Sequence, residues 1–346
     1  MKRTLARRLL ALLALIAPMQ IARAQAETYS LTESGQWQAE QQERDADQQV
    51  IDQARRALAE DNPSKARTLL TAWLDDPANS RNIWRPAALR LRGDARVALH
   101  REYLALYDYE EVIRAFPESD EFLTAVEREL DIAIRYANGL KRRAWGIRIF
   151  DATDVAVELL IRVQERTPGS ALAERAAIEL ADFYYRTGDI ALASEAYDLY
   201  MENFPKGPNY LKARQRRIFA DIARFKGPKY DASGLIDAQI QIKELNRDAP
   251  IQAEQAGLSG GVELRIEESL AAKQLENARW YLARNEWPSA RLVLRRLNRE
   301  FPSTVAASRA RDIMREKGWL ESAATAPQAE PPQSDDQPTV IAEPTE

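Results

Sequence analysis

Apolar residues recur at three- and four-residue spacing from residue 48 to residue 321, the period of helices with one buried face. Proline punctuates that pattern at Pro77, Pro117, Pro168, Pro205, Pro250 and Pro302, at intervals of 40, 51, 37, 45 and 52 residues. Proline has no amide hydrogen and its ring turns the preceding residue away from helical backbone, so each marks a predicted helix stop. The clearest unit runs from Ala173 to Pro205, AERAAIELADFYYRTGDIALASEAYDLYMENFP. In it small residues (Ala177, Ala181, Ala193) allow two helices to cross closely, and Leu180, Tyr184 and Tyr197 fill the space between them. Gly188-Asp189 is the predicted turn, because glycine tolerates the left-handed backbone of a helix end.

These offsets resemble the tetratricopeptide helix-turn-helix pattern. A second unit closing at Pro302 carries Ala278, Tyr281 and Ala290 at equivalent places, and a third closing at Pro117 carries Leu89, Gly93, Ala105 and Tyr109. Residues 48–78 keep Ala54, Ala66 and Leu70, and residues 131–168 keep the second helix only. One such unit cannot cover its own apolar face, so the predicted fold is all-α: a tetratricopeptide-like solenoid of five to six stacked helix pairs. The glycine cluster AGLSGG, residues 256–261, lacks the spacing of a phosphate-cradling loop and reads as a loop between pairs.

The chain ends read differently. Lys2, Arg3, Arg7 and Arg8 precede an apolar run from Leu9 to Met19, followed by A-x-A at Ala22 or Ala24, so residues 1–24 are expected to be a secretory signal. The run is too short to cross a bilayer. An uncleaved anchor is the other reading. Residues 25–47 are polar and rich in glutamine (Gln36, Gln38, Gln41, Gln42) and are expected to form a linker. Residues 322–346 carry Pro327, Pro331, Pro332, Pro338 and Pro344 with five acids and no base, a composition that cannot assemble a core and is expected to be disordered.

Composition narrows the chemistry. Ala (56) and Leu (37) greatly outnumber Val (11) and Gly (13), favouring helix over strand. The absence of cysteine excludes disulfides and thiolate metal sites, and one histidine, His100, excludes paired-histidine metal motifs. No metalloprotease, nucleophile-elbow or calcium-loop motif is present, so neither catalysis nor a cofactor is expected. The formal charge is −4, and residues 1–24 hold five of the basic groups, so an exported form would carry −9. Nucleic acid is not an expected partner.

Against that acidic background, residues 206–229 hold eight cations (Lys206, Lys212, Arg214, Arg216, Arg217, Arg224, Lys226, Lys229) and one acid, Asp221, interleaved with Tyr210, Phe219 and Phe225. Such a run is either a solvated helix face or a docking surface for an acidic protein face or anionic head groups, with Arg214 and Arg217 its bidentate donors. Lys141, Arg142, Arg143, Trp145 and Arg148 allow the same two readings. Tetratricopeptide arrays take partners along the surface lined by the first helix of each pair. That resemblance implies Arg90, Asp94, Arg101, Arg175, Asp182, Tyr185, Arg186 and Arg279 as protein-binding residues, with Tyr185 outside the core and Tyr184 and Tyr197 in it.

Residues 177–223 and 278–310 further resemble the repeats of the BamD family, the lipoproteins of outer-membrane β-barrel assembly. The resemblance implies a periplasmic scaffold, associated with the outer membrane, whose partners are a barrel-assembly subunit and unfolded outer-membrane proteins. That family is anchored through a lipidated cysteine after its signal. This sequence has none, so peripheral attachment would come from a partner or a retained N-terminal segment. Another periplasmic tetratricopeptide adaptor, coordinating cell division with peptidoglycan synthesis, is the alternative; its Gln-rich segment would then oligomerise.

Overall fold

The computed structural model describes residues 29–31, 37–39, 46–144, 147–258 and 260–320. The expected signal, most of the linker and the acidic tail lie outside the described residues. Among those described, fourteen α-helices dominate: α1 (Ala46–Ala59), α2 (Pro63–Leu74), α3 (Arg85–Ala98), α4 (Glu102–Ala115), α5 (Phe122–Ala137), α6 (Thr153–Arg166), α7 (Ala171–Thr187), α8 (Ile190–Asn203), α9 (Tyr210–Ala223), α10 (Ser233–Asp248), α11 (Pro250–Gln255), α12 (Gly260–Ala283), α13 (Trp287–Glu300) and α14 (Val305–Glu316). The fold is the all-α, tetratricopeptide-like helix-pair solenoid that the periodicity predicts.

Helix ends follow the proline punctuation closely. Phe116, Thr167, Phe204, Ala249 and Phe301 each sit between a helix and a proline, and all five adopt nearly the same backbone, φ −130° to −148° and ψ 53° to 64°. The ring of the next residue forbids the helical alternative, so the stop is local and steric. At the turn inside the clearest unit, Gly188 takes φ +86° and its amide donates to the Tyr184 carbonyl. In the glycine cluster only Gly257 belongs to a left-handed turn, at φ +72°, whereas Gly260 and Gly261 open α12.

The chain divides into two compact units, Met1–Ala95 and Arg96–Glu346. In the first, α1 packs on α2 and buries Ile51, Ala54, Ala66 and Leu70. Asp47 fastens this unit by accepting from Trp73 Nε1 and Asn82 Nδ2, both at 2.7 Å. Two short strands within the glutamine-rich segment, β1 (Tyr29–Leu31) and β2 (Trp37–Ala39), pair antiparallel.

In the second unit each helix from α4 to α10 packs on the next in sequence, and α12, α13 and α14 pack together. Ala177, Ala181, Ala193, Tyr197, Tyr200 and Ala213 form one core where α7, α8 and α9 meet. Tyr197 is wholly buried, but Tyr184 and Tyr185 are both half-buried against that core, so the core and surface roles expected of those neighbours do not separate; Phe183 is the buried ring of this turn. One element departs from the helical pattern. Between α5 and α6 the chain forms a hairpin, β3 (Arg142–Ala144) with β4 (Ile147–Phe150), with a register irregularity at Arg142 and Arg143.

Candidate partner-binding surface

Of the eight side chains expected to line the first helices, Arg175, Asp182, Tyr185 and Arg186 reach across to neighbouring elements. On α3, Arg90 donates to Asp94 one turn later at 2.6 Å, an (i, i+4) pair. Arg101 is exposed ahead of α4, beside His100, which closes its turn at φ +58°. Arg175 on α7 pairs with Asp131 on α5 at 3.2 Å, and Arg186 Nη2 donates to the Ala137 carbonyl at 2.9 Å. Asp182 accepts from the Tyr197 hydroxyl at 2.7 Å and from Lys212 of α9 at 2.5 Å. Burial first, and then that bond to a carboxylate, push the Tyr197 phenol far above its ordinary range. The Arg216 guanidinium lies 4.9 Å from the centre of the Tyr185 ring, which meets Tyr197 edge-on. These contacts link α5, α7 and α9 through their polar faces.

The basic run is equally engaged. Arg214 pairs with Asp248 at 3.1 Å and Arg217 with Asp198. Asp221 is 1% exposed and accepts from Ser194 Oγ at 2.5 Å and Gln241 Nε2 at 3.0 Å, with Arg217 and Arg224 within 4 Å. Much of the local positive charge is thus balanced by acids from α7, α8, α9 and α10. Lys229 instead reaches a groove of about 630 Å³ with Lys273, Glu276, Asn277, Trp280, Tyr281 and Val293. Trp280 is half-exposed there, edge-on to Tyr281 at 5.1 Å and covered on one face by Arg284 at 3.6 Å. The expected residue Arg279 is its neighbour and faces Glu276 at 3.8 Å. Exposed tryptophan with nearby cations on a first helix is the composition of a protein-binding anchor.

Three buried carboxylates went unrecognised in the sequence: Asp108, which pairs with Arg96 at 2.7 Å, Glu102 and Glu129. Glu102 on α4 is 2% exposed and accepts from Arg135 of α5 at 3.0 Å and from Arg148 of the hairpin at 2.8 Å. Burial alone would raise its pKa; the Arg148 hydrogen bond, a bond to its own backbone amide and the charges of Arg148 and Arg135 outweigh it and hold the group below the ordinary 4.5. Glu129 on α5 is 1% exposed and shares Arg166 with Glu110, each at 2.5 Å. There burial wins over Arg166, with Glu110 adding to the rise, and the carboxyl is pushed up to about 8. A signal existed for the last two: Glu102 shares its helix face with Ala105 and Tyr109, and Glu129 shares its face with Ala125, Val126 and Ala133.

The fold and this surface define a helix-repeat protein built for contact with other macromolecules. A family model described as YfiO, outer membrane lipoprotein, matches residues 151–326, just over half of the 346, and the chain belongs to that family. No curated protein matches. Among solved structures, the chain is similar to the C-terminal part of a TPR repeat-containing protein from Cytophaga hutchinsonii. The TM-score is 0.38 at 13% identity, covering 78% of this chain and 88% of that one.

Proposed function

We propose that this protein is a non-enzymatic scaffold of the cell envelope that takes part in outer-membrane β-barrel protein assembly. It binds a barrel-assembly subunit and unfolded outer-membrane proteins through the first-helix faces of α7, α9 and α12, with Trp280 as the anchor. The observation that carries this reading is the match to the outer-membrane lipoprotein family across residues 151–326, which includes the Trp280 groove. The export-signal pattern of residues 1–24 supports the location. Among the described residues no helix is long and apolar enough to cross a membrane, so attachment comes through a partner or the N-terminal apolar segment.

The test is a photo-crosslinking residue placed at position 280 in intact cells, with exposed Leu264 as a control position, and mass spectrometry of the captured proteins. A barrel-assembly subunit crosslinked from 280 and absent from 264 is the expected result. Capture of division or peptidoglycan proteins instead would leave a scaffold and remove the assigned machine. Trp280→Ala with Lys273→Glu is expected to reduce capture at least tenfold, about 1.4 kcal/mol, with the melting temperature unchanged.

A further inference from the structure

A second groove lies on the last helix pair, away from the residues assigned above. It measures about 400 Å³ and is lined by Trp287, Pro288, Arg291, Leu292, Arg295 and Trp319, with no carboxylate among them. The chain itself builds it. Gly318 takes φ +66° past the end of α14, the Trp319 amide donates back to the Met314 carbonyl at 2.8 Å, and this reversal sets the Trp319 ring edge-on to Trp287 at 6.4 Å. Lys317 lies over the Trp287 ring, its Nζ 4.9 Å from the ring centre.

The groove is apolar and positive at once. Leu292 is 70% exposed and Trp287 40%. Elsewhere in the unit Arg166, Arg175, Arg214 and Arg217 are each matched by an acid. Among the described residues Arg291 and Arg295 have no such partner, and the Nε of Arg291 is buried without a hydrogen bond. The occupant this chemistry asks for is acidic and proline-rich, since aromatic-lined grooves take proline-rich backbone at low entropic cost and arginine takes carboxylates bidentately.

That chemistry is written in the same chain. Beyond Trp319, residues 322–346 carry Glu330, Asp335, Asp336, Glu343 and Glu346, no base, and five prolines. The chain leaves the described structure at residue 320, beside the groove, and the sixteen residues from Trp319 to Asp335 span at most about 55 Å when fully extended, so a bent tail can return to the groove. We propose that residues 322–346 dock in cis on the Trp287, Arg291 and Arg295 groove, carboxylates on the guanidiniums and prolines against the tryptophans. Tethering supplies an effective concentration in the millimolar range, so a contact too weak to hold a free peptide is still populated. Because its charges are solvent-facing, the contact weakens in salt.

The absence of cysteine allows a single label in the full chain: Ser334→Cys carrying a fluorophore that tryptophan quenches on contact. The expected result is quenching at low ionic strength that does not vary with protein concentration. It falls at least threefold in 0.5 M NaCl, in Trp287→Phe, and in Arg291→Glu with Arg295→Glu. Asp335→Lys with Asp336→Lys, outside the helical body, must relieve it as well, which covers the case in which charge reversal on α13 disturbs folding. A label as bright in the parent chain as in the Asp335→Lys, Asp336→Lys variant would overturn the proposal. So would quenching that grows with protein concentration, which means docking on a second copy, or quenching that survives Trp287→Phe and is lost in Trp280→Phe.

Discussion

Glu102 and Glu129 are both shielded from water, yet their environments push them in opposite directions. Two arginines and a backbone amide keep Glu102 ionised, with its pKa below 4.5. Glu102 therefore stabilises the fold above the unfolded value, and that contribution is lost as pH falls through the folded one. Glu129, pushed up to about 8 by burial beside Glu110, contributes most in acid and loses its contribution as pH rises from about 4.5 to about 8. Glu129→Gln imitates the protonated group at every pH. The urea midpoint of the variant relative to the parent is therefore expected to rise between pH 5 and pH 8; a constant difference would mean that Glu129 titrates normally. For Glu102→Gln the expected loss is about 1.5–3 kcal/mol at neutral pH, the value of hydrogen bonds to a charged group. It should shrink on acidification, because the part-exposed arginines can recover water while the parent loses its charge.

At the level of elements, the same Glu102 explains why the hairpin exists and why the sequence conceals it. The strands RRA and IRIF contain no strong turn dipeptide, and Ile147, Ile149 and Phe150 remain exposed. Arg148 ties the hairpin to α4, donating to Glu102, 46 residues earlier in the chain, and it also donates to the Lys141 carbonyl at 2.8 Å; the Arg142 guanidinium adds a second tie, 4.9 Å from the centre of the Tyr103 ring. Arg148→Ala is expected to accelerate amide hydrogen exchange in residues 142–150 while leaving α7 to α10 unchanged; uniform acceleration would contradict a local role. The helix stops were legible because a proline acts on its immediate neighbour. The partners of the lining residues were not, since composition shows arginines and aspartates at the right offsets but says nothing of the acid that each one meets. Close approaches were hidden for the same reason. Gly234, at the start of α10, lies where an added Cβ would come within 2.6 Å of the Asp221 carbonyl oxygen on α9, a backbone atom that cannot swing away. Gly234→Ala is expected to cost about 1–3 kcal/mol, as overpacking does, read as a lowered denaturation midpoint.

Across the second unit, stability depends on each helix pair being covered by the next, so α14, the last of the described helices, has a distinct task. α14 covers Leu275 and Ala278 of α12 and Leu294 and Leu297 of α13 with Ala306, Ala310 and Met314. Its N-terminus is fixed twice: Thr304 accepts from the Ala307 amide at 3.1 Å, and Glu268 of α12 accepts from the Val305 and Ala306 amides at 2.8 and 3.1 Å. A carboxylate there meets amides that have no partner within the helix and the positive end of its dipole. A chain ending at Ser303 loses at least the roughly 1.5–3 kcal/mol of burying Met314 and leaves the apolar face of α12 and α13 open to water. The expected result is a lower melting temperature and strong binding of a hydrophobic dye, whereas a chain ending at Glu321 keeps α14 and melts like the parent. Glu268→Ala separates the two contributions of α14. It removes the amide contacts but not the apolar cover, so it should lower the melting temperature by less than the truncation and bind no dye.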